Sequence, residues 1–529
     1  MHETLLLSLS LLLAVTLFVM LGQRLRISTP IFLVIGGLVL SLIPGLPQIS
    51  IDPQMIFLLF LPPLLYEAAW YMSWKELWRW RRIILVMAFG LVLFTATAVA
   101  YVSAMLIPGF TLALGFLLGG IISPPDAVAA ESVLQNVSAP KTMMSLLRGE
   151  SLINDASSLV VFRFALAAVL SGTFSLQQAG LGFVMVTLLG VGVGLAVAGV
   201  FYAIHRFLPT TTRISILLTF IAPYMMYLGA EEAGGSGVMA VVSGGLFMSY
   251  HSNEILNHSA RLQGSGMWAT IVFALNGLVF ILIGLQLPVI IRALGDYSPG
   301  EAIYYALVIT GLLIIVRMVV ALGASAFTRF IGQYITVARR DPGWRGPVVL
   351  GWAGMRGVVS LASALSIPLT LSDGSPFPHR NLILFITFVV ILITLVVQGL
   401  TLPMVIRLVG LQETDDEPSD EEQELAIRTH LLTAVLNHLD TNYTSERSEL
   451  LDKLRTKIAT DLHTIQSPTY ASLNEQQARY NEIVTDISRV KRQELRRLRD
   501  EESFDDALLR KAETRIDLHE EVIDHPIRE

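Results

Sequence analysis

The sequence contains no cysteine and has little charge for its length. None of its 529 residues is Cys, which excludes disulfides, thiolate zinc sites and cysteine nucleophiles. Charged residues make up 15% of the chain and hydrophobic residues 53%, whereas soluble domains are about a quarter charged. The apolar residues come in long blocks, so the composition predicts an all-α protein that crosses the membrane several times.

The motifs of several enzyme classes are also missing. The ten histidines include no H-E-x-x-H pair of the kind that binds zinc in metalloproteases. The chain has neither a G-x-S-x-G nucleophile elbow nor a Walker lysine motif. We therefore expect no enzymatic activity, no cofactor, no ATP-driven pumping and no nucleic-acid partner.

Thirteen apolar runs are long enough to cross about 30 Å of hydrocarbon, although the second and eighth are short. The first, near the N-terminus, has an acidic flank and no small-residue cleavage site, so we interpret it as a retained span. The predicted spans lie near 4–21, 29–45, 54–71, 83–107, 111–131, 140–171, 178–205, 213–229, 234–250, 266–291, 301–329, 346–370 and 380–409.

Basic residues alternate between the connecting loops, and cytoplasmic loops carry the excess of Lys and Arg. The intervening loops hold only Arg292 and Arg380, and one of them contains the acidic pair Glu231–Glu232. This alternation predicts an N-terminus outside the cell and a C-terminus in the cytoplasm. The basic loops contain Arg24, Arg26, Lys75, Arg79, Arg81, Arg82, Lys141, Arg148, Arg206, Arg213, Arg261, Arg329, Arg339, Arg340 and Arg345.

The chain changes character after residue 410. An acidic linker, QETDDEPSDEEQE, is followed by polar stretches with helical periodicity near 425–439, 450–462 and 476–498. We predict a transmembrane domain at 1–410 and a helical cytoplasmic domain at 411–529. A regulatory or dimerising tail is the alternative interpretation of the second domain.

Polar residues within the sixth span indicate a functional site, because ionisable groups at bilayer depth are costly. Asp155 lies roughly 22 Å along a helix that begins at Pro140. Ser151 precedes it by one turn, and Glu150 and Asn154 form the neighbouring i, i+4 pair. Oxygen ligands of this kind suit hard cations. The alternative is a structural Asp155 paired with an arginine of another helix.

Two other spans carry signs of interruption. Pro124 and Pro125 remove two backbone donors from the fifth span, just before Asp126. The twelfth span contains Arg356 among the glycines of GWAGMRG. Interrupted helices build ion sites in many secondary transporters, whereas Asp126 could instead cap the second half-helix. The two spans enter the membrane in opposite directions, which predicts inverted repeats of spans one to six and eight to thirteen.

Further charges lie inside predicted spans and need partners. Arg163 follows Asp155 by two turns, and Arg317 lies in the middle of the eleventh span. Glu131 and Glu150 are candidate partners that the sequence alone cannot assign. We interpret Arg163, Arg317 and Glu131 as members of a buried ion-pair network rather than as direct contacts of a substrate.

Four motifs in order resemble those of the monovalent cation:proton antiporter family, the sodium/proton exchangers, in a bacterial member. GESLIND at 149–155 is similar to the G-E-S-L-x-N-D signature, and MRG at 355–357 to the Arg-Gly of the second broken helix. SPPDAV at 123–128 corresponds to a T-D-P-V type motif, and LPPLLYE at 61–67 to an early L-P-P-L-L-x-[DE] stretch. The resemblance covers residues 1–410.

The resemblance implies that Asp155 binds the cation and the proton, with Ser151 and Asp126 completing the monovalent-cation site. It implies that Asn154 orients Asp155 and that Glu150 forms an ion pair with Arg356. It also implies a homodimer in the bacterial plasma membrane. Pro125 and Ala127 stand where the family motif has Thr and Pro. Any ligand role of the threonine hydroxyl is therefore lost in this chain.

The resulting hypothesis is a secondary antiporter that exchanges Na⁺, or alternatively K⁺ or Li⁺, for H⁺ by alternating access at Asp155. Because Asn154 precedes this residue in place of a second Asp, we expect one-for-one, electroneutral exchange. Two other classes remain open at this point. They are a monovalent cation channel or uniporter, and an intramembrane enzyme that uses Asp126 and Asp155 as an aspartyl dyad.

Overall fold

The computed structural model describes most of the chain, and the described part is helical. Within it there are twenty α-helices and no β-strand, apart from an isolated bridge between Thr370 and Pro376. The described residues are 2–25, 28–43, 53–134, 140–172, 176–292, 294–295, 297–331, 343–371, 373–411, 420–443, 449–466, 487–495, 497–498, 512 and 516.

The helices follow one another through short connections, and two of them are joined to their successors by π-helical turns at Val86–Leu91 and Thr394–Gln398. The α-helices are α1 His2–Leu25, α2 Thr29–Ser41, α3 Pro53–Trp70, α4 Trp74–Leu85, α5 Val92–Leu106, α6 Leu112–Ile122, α7 Ala127–Leu134, α8 Lys141–Ser171, α9 Leu176–Phe207, α10 Thr212–Glu232, α11 Gly237–Tyr250, α12 Ser252–Ile255, α13 His258–Arg292, α14 Pro299–Ile331, α15 Arg345–Trp352, α16 Val358–Leu365, α17 Arg380–Ile393, α18 Gly399–Val409, α19 Asp420–Asn442 and α20 Glu449–Gln466.

Long apolar helices account for most of the predicted spans. In the described ranges nine helices are long and apolar enough to cross a membrane, and three shorter apolar helices accompany them. Twelve of the thirteen predicted spans fall on these. The remaining one, near 346–370, falls on α15 and α16, which have eight residues each. The all-helical membrane fold is confirmed, and the number thirteen stays a prediction.

Both predicted interruptions are present. Helix α6 ends at Ile122 and α7 begins at Ala127, with Pro124 and Pro125 in the gap. Helix α15 ends at Trp352 and α16 begins at Val358. The prolines explain the first gap, because they lack the N–H groups that a continuous helix needs.

Small residues bring the first broken helix close to its neighbour. A Cβ atom at Gly115 would lie 2.6 Å from the backbone of Ala100, and one at Gly119 would lie 2.7 Å from that of Ala96. Helices in membranes pack through such small residues, because lipid provides no hydrophobic force to drive them together. This contact with α5 fixes the position of α6 and of the break that follows it.

The chain divides into two compact units, Met1–Glu413 and Thr414–Glu529. In the second unit, α19 and α20 are joined by an ion pair between Asp440 and Arg455, at 3.0 Å. They contain the predicted helices at 425–439 and 450–462. The linker at 412–419, Arg26, Arg339, Arg340 and much of the predicted helix at 476–498 lie outside the described residues. The cytoplasmic location of the second unit remains a prediction.

Candidate functional site

The two breaks meet each other inside the first unit. The backbone N–H of Asp126, at the first break, donates to the carbonyl oxygen of Met355, at the second, over 2.7 Å. Both segments are buried, so these backbone groups have no water to bond with. One direct hydrogen bond therefore joins two broken helices that are more than two hundred residues apart in sequence.

Asp126 caps the N-termini of α7 and α16, the two helices that follow the breaks. Its carboxylate accepts a hydrogen bond from the N–H of Val128 at 2.9 Å, and the nearby backbone N–H groups of Ala129 and Val358 also stabilise its charge. Since α7 begins at Ala127 and α16 at Val358, one carboxylate faces two helix N-termini, where negative charge is favourable. The capping role that the sequence left open for Asp126 is therefore present.

Only glycine fits at the position that Asp126 contacts on the second break. A Cβ atom at Gly357 would lie 1.7 Å from Oδ2 of Asp126, far inside the 3.0 Å within which Cβ atoms essentially never meet a non-bonded heavy atom. The Arg-Gly pair of the sequence motif thus has a steric reason at its second residue.

Arg356 binds the C-terminal ends of α6 and α15, the two helices that precede the breaks. Its guanidinium Nε donates to the carbonyl of Ile122 over 3.1 Å, and Nη1 donates to the carbonyl of Gly354. These carbonyls lie at the C-terminal end of α6 and just beyond that of α15, where a cation is favourable. The backbone N–H of Arg356 donates to Oγ1 of Thr394 at 3.1 Å. Asp126 and Arg356 thus neutralise the four helix ends at the crossing.

Helix α8 passes the point where the two broken helices meet, and it carries the candidate residues Ser151 and Asp155. Ser151 Oγ donates to the carbonyl of Pro125 at 3.4 Å and accepts from the N–H of Ala127 at 3.3 Å. Asp155, one turn further along, is 9% exposed and interacts electrostatically with Asp126. In the described part of the chain its carboxylate has neither an ion-pair partner nor a hydrogen-bond donor. Asp155 is therefore the site carboxylate that is available to a proton or a cation.

The side chain of Asn154 is buried and unsatisfied. Neither its Oδ1 nor its Nδ2 has a hydrogen-bond partner among the described residues, and the residue is 0% exposed. Buried polar atoms without partners are rare and often mark a functional position. Asn154 adjoins Asp155, so an unsatisfied amide and an unpaired carboxylate occupy successive positions of one helix.

Glu150 pairs with Arg317, and the expected ion pair between Glu150 and Arg356 is wrong. Two parallel hydrogen bonds, of 2.5 and 3.0 Å, join the Arg317 guanidinium to the Glu150 carboxylate. Both side chains are almost fully buried, at 1% and 2% exposure. Arg356 is occupied by backbone carbonyls and only neighbours this pair electrostatically. Helix α14 brings Arg317 to Glu150 directly, so of the two candidate partners that the sequence offered for Arg317 the structure selects Glu150.

The other predicted ion-pair residues lie outside this cluster. Arg163 pairs with Glu231 at 2.6 Å rather than with either predicted partner, and its side chain is 43% exposed. Glu131 pairs with Arg148 at 2.7 Å. Both pairs join α8 to neighbouring helices. The expectation that Arg163 is buried is wrong, whereas the Glu131 side chain is mostly buried, at 14% exposure.

No sequence pattern singled out Thr394 or the ion-pair partners Arg148 and Glu231 as functional residues. Thr394 is one of three threonines in the last predicted span, and the π-helical turn that it begins is the feature that distinguishes it. Arg148 and Glu231 were counted only as loop charges. In the part of the chain that the structure describes, no group of three or more His, Cys, Asp or Glu residues could hold a metal ion.

Comparison with known proteins identifies relatives across this whole region. A family model described as the transmembrane sodium/hydrogen exchanger matches residues 9–408. A sodium, potassium, lithium and rubidium/H⁺ antiporter of Bacillus pumilus is 36% identical over 72% of this chain, which spans 57% of that relative's length. An uncharacterized Na⁺/H⁺ exchanger of Mycobacterium tuberculosis is 32% identical over 96% of this chain and 94% of its own.

Solved structures give the same result at the level of the fold. The sodium proton antiporter MjNhaP1 of Methanocaldococcus jannaschii matches with a TM-score of 0.60. The match covers 79% of this chain and 100% of the archaeal one, at 19% sequence identity. A likeness at that identity establishes a shared fold.

Proposed function

The chain belongs to the sodium/hydrogen exchanger family, and on that premise we propose that it exchanges Na⁺ for H⁺ across the plasma membrane, one for one, at Asp155. The observation that carries the proposal is the unpaired carboxylate of Asp155 beside the crossing of two broken helices. Ser151 and Asp126 complete the surroundings of the cation in this proposal, and Asn154 orients the carboxylate.

Exchange follows from the charge of the site. A bare carboxylate is costly to carry through hydrocarbon, so the site reorients only when Asp155 holds a proton or a cation. The two ligands compete for the same oxygens, and each leaves the site neutral. Alternating access of such a site couples the inward movement of one ion to the outward movement of the other.

Electroneutrality is supported by what the other carboxylates contact. The charge of Asp126 is stabilised by the backbone N–H of Val128, at 2.9 Å, and by those of Ala129 and Val358 nearby, and Glu150 is paired with Arg317. Asp155 therefore remains as the one site carboxylate, among the described residues, whose charge changes during a cycle. The bonds to Asp126 also disfavour an aspartyl dyad, because a dyad needs two carboxyl groups that are free to exchange a proton.

The substitution Asp155→Asn tests the assignment. In everted vesicles loaded with a pH-sensitive dye, addition of Na⁺ to the wild type is expected to collapse the pH gradient. The variant is expected to show no cation-dependent proton movement, because an amide takes up no proton at these pH values and carries no charge to balance a cation. Asp373→Asn, the same change in an exposed loop, serves as the matched control and is expected to behave as the wild type. Retained exchange in Asp155→Asn contradicts the proposal.

A membrane potential tests the stoichiometry. One net charge per cycle would couple to the potential by about 2.3 kcal/mol per 100 mV, or up to roughly fiftyfold in rate. We expect the initial rate in proteoliposomes to stay constant across such a potential. A steep dependence would refute electroneutral exchange, and Na⁺ flux without counter-movement of H⁺ would indicate a channel.

The cation is proposed to be Na⁺, with K⁺ and Li⁺ as competitors. The Bacillus relatives bear names that include sodium, potassium, lithium and rubidium, so selectivity within the family extends beyond Na⁺. A panel of these cations in proteoliposomes, with wild type and Asp155→Asn side by side, ranks them for this chain.

The proposed topology places the N-terminus outside and residues 411–529 in the cytoplasm of a homodimeric protein. The absence of cysteine makes single-cysteine labelling direct. Ser375→Cys is expected to react with an impermeant maleimide from outside intact cells, and Asn442→Cys only after permeabilisation. Reversed labelling would overturn the orientation, and failure to cross-link in the membrane would argue against the homodimer.

A further inference from the structure

Helix α4 differs in composition from the helices around it. Its twelve residues, WKELWRWRRIIL, contain four basic side chains and one acidic side chain, Glu76. Its N-terminus is capped by Ser73, whose hydroxyl accepts from the N–H of Glu76. The long helices of the first unit are apolar along most of their length, so α4 needs a separate explanation.

Length places α4 at the edge of the bilayer. The continuous run Trp74–Leu106 has 33 residues, and at 1.5 Å per residue it measures about 50 Å. The hydrocarbon layer is about 30 Å thick, so roughly 20 Å of this run lies beyond it. The polar end of the run is α4, which therefore occupies the headgroup layer on the side predicted to be cytoplasmic.

The exposed face of α4 has two parallel stripes. Lys75, Arg79 and Arg82 are exposed and recur at positions i, i+4 and i+7 of one stripe. Trp74 and Trp78 form the neighbouring stripe, with 47% and 59% of their surfaces exposed. Their rings stack at 6.3 Å with an interplanar angle of 17°. Indole and cationic groups thus lie side by side on one surface.

The aromatic stripe is held in place by its own contacts. The Arg81 guanidinium lies over the Trp78 ring, 4.5 Å from its centroid, and donates to the Trp78 carbonyl at 2.5 Å. The ring of Tyr250, at the end of α11, meets Trp74 edge-on at 6.3 Å. The three rings therefore form a fixed platform beside the basic stripe.

We propose that this face of α4 is a binding site for the headgroup of an anionic phospholipid. Indole rings favour the boundary between hydrocarbon and headgroup, which sets the depth of the platform. Basic side chains beside it attract an anionic headgroup by about fivefold in affinity for each residue. A zwitterionic headgroup gains much less from three adjacent cations, so the site discriminates by charge.

The opposite face of α4 connects this site to the helix that carries Asp155. Trp80 and Ile84 are buried, and a Cβ atom at Gly149 would lie 2.6 Å from Cδ1 of Ile84. Gly149 immediately precedes Glu150 of the buried ion pair. The lipid-facing helix therefore packs directly against α8, where the candidate site begins.

Lipid retention by the purified full-length protein tests the proposal independently of transport. The protein is extracted from liposomes of equal phosphatidylglycerol and phosphatidylcholine, and retained lipid is counted by native mass spectrometry. The triple variant Lys75→Gln/Arg79→Gln/Arg82→Gln is expected to lose phosphatidylglycerol at least about tenfold relative to the wild type. The control, Arg24→Gln/Arg206→Gln/Arg213→Gln, removes the same charge from exposed residues on the same predicted side and is expected to retain it. Equal loss or equal retention in the two variants overturns the proposal.

A fluorescence measurement covers the case in which the triple variant does not fold. Brominated lipids quench nearby tryptophan, so brominated phosphatidylglycerol is expected to quench the wild type more than brominated phosphatidylcholine does. This difference is expected to disappear in Trp74→Phe/Trp78→Phe, which preserves the aromatic shape and all basic residues. A difference that persists in the double variant overturns the assignment to α4.

Discussion

Breaking the ion pair between Glu150 and Arg317 is expected to destabilise the protein far more than breaking the pair between Glu131 and Arg148. Both pairs are bidentate, and each joins α8 to another helix. They differ in burial: the first has side-chain exposures of 1% and 2%, and the second has 47% for Arg148 and 14% for Glu131. The comparison therefore isolates burial from geometry.

The expected losses in the free energy of unfolding follow from the difference in burial between the two pairs. Removal of one partner from a buried pair leaves an uncompensated charge, which costs about 3–5 kcal/mol. An exposed pair contributes up to about 1 kcal/mol, because solvent screens it. We therefore expect Arg317→Met to lower the free energy of unfolding by about 3–5 kcal/mol and Arg148→Met by about 1 kcal/mol or less.

The two partners of the buried pair are not equivalent. Arg356 lies close enough to interact electrostatically with both Glu150 and Arg317. Loss of Arg317 leaves Glu150 with the neighbouring charge of Arg356, whereas loss of Glu150 leaves two buried guanidinium groups. Glu150→Leu is therefore expected to be more destabilising than Arg317→Met, and the double variant less destabilising than the sum, because it removes both charges.

Unfolding in mixed micelles with increasing dodecyl sulfate, followed by tryptophan fluorescence, measures these differences at fixed pH. The refuting result is an Arg317→Met variant that loses no more stability than Arg148→Met. Such a result would mean that the buried pair is hydrated or that the neighbouring Arg356 replaces the lost charge completely. A double variant that loses as much as the sum would refute the coupling.

Two further substitutions test the crossing of the broken helices, each against a control in the same predicted span. Gly357→Ala is expected to lower stability by about 1–3 kcal/mol and to reduce exchange, because its Cβ would overlap Oδ2 of Asp126. The control Gly346→Ala, with open space around it, is expected to be neutral or slightly stabilising. Equal losses of stability in the two variants would contradict the steric argument. Thr394→Val is expected to lower stability by about 1–3 kcal/mol, because it leaves the buried backbone N–H of Arg356 unsatisfied. The control Thr387→Val removes a buried hydroxyl without a partner in the described chain and is expected to change stability little. A larger loss in Thr387→Val than in Thr394→Val would refute the role assigned to Thr394. Both comparisons use the same unfolding titration.

Features that depend on a short stretch of chain were predictable. The length of apolar runs determines where helices cross the bilayer, so twelve predicted spans fall on apolar helices of the structure. Two consecutive prolines remove two backbone donors, so the break before Ala127 follows from local chemistry. The Gly149–Asp155 motif placed Ser151, Asn154 and Asp155 on one helix, because these residues lie within about one turn of each other in the sequence.

The partners of the charged residues were not predictable, because they depend on how distant helices pack. The family resemblance paired Glu150 with Arg356, whereas the structure pairs it with Arg317, which is 167 residues away. Glu150 was one of two candidate partners of Arg317, and the sequence could not choose between them. Sequence reasoning treated Arg163 as buried near the site, whereas Arg163 lies at the surface against Glu231. Periodicity shows which face of a helix is polar but does not show which neighbour that face meets.

By itself the sequence determined the helical membrane character of the chain, its two interruptions and the helix that carries Asp155, because apolar length, proline and local spacing act within a few turns. Only the tertiary structure decided that Asp126 caps two half-helices, that Arg356 bonds the carbonyl of Ile122 across 234 residues, and that Asp155 is left without a partner. These assignments require atoms from distant segments to meet. Packing determines them, since each buried charge takes the oppositely charged or polar group that the neighbouring helices bring within reach.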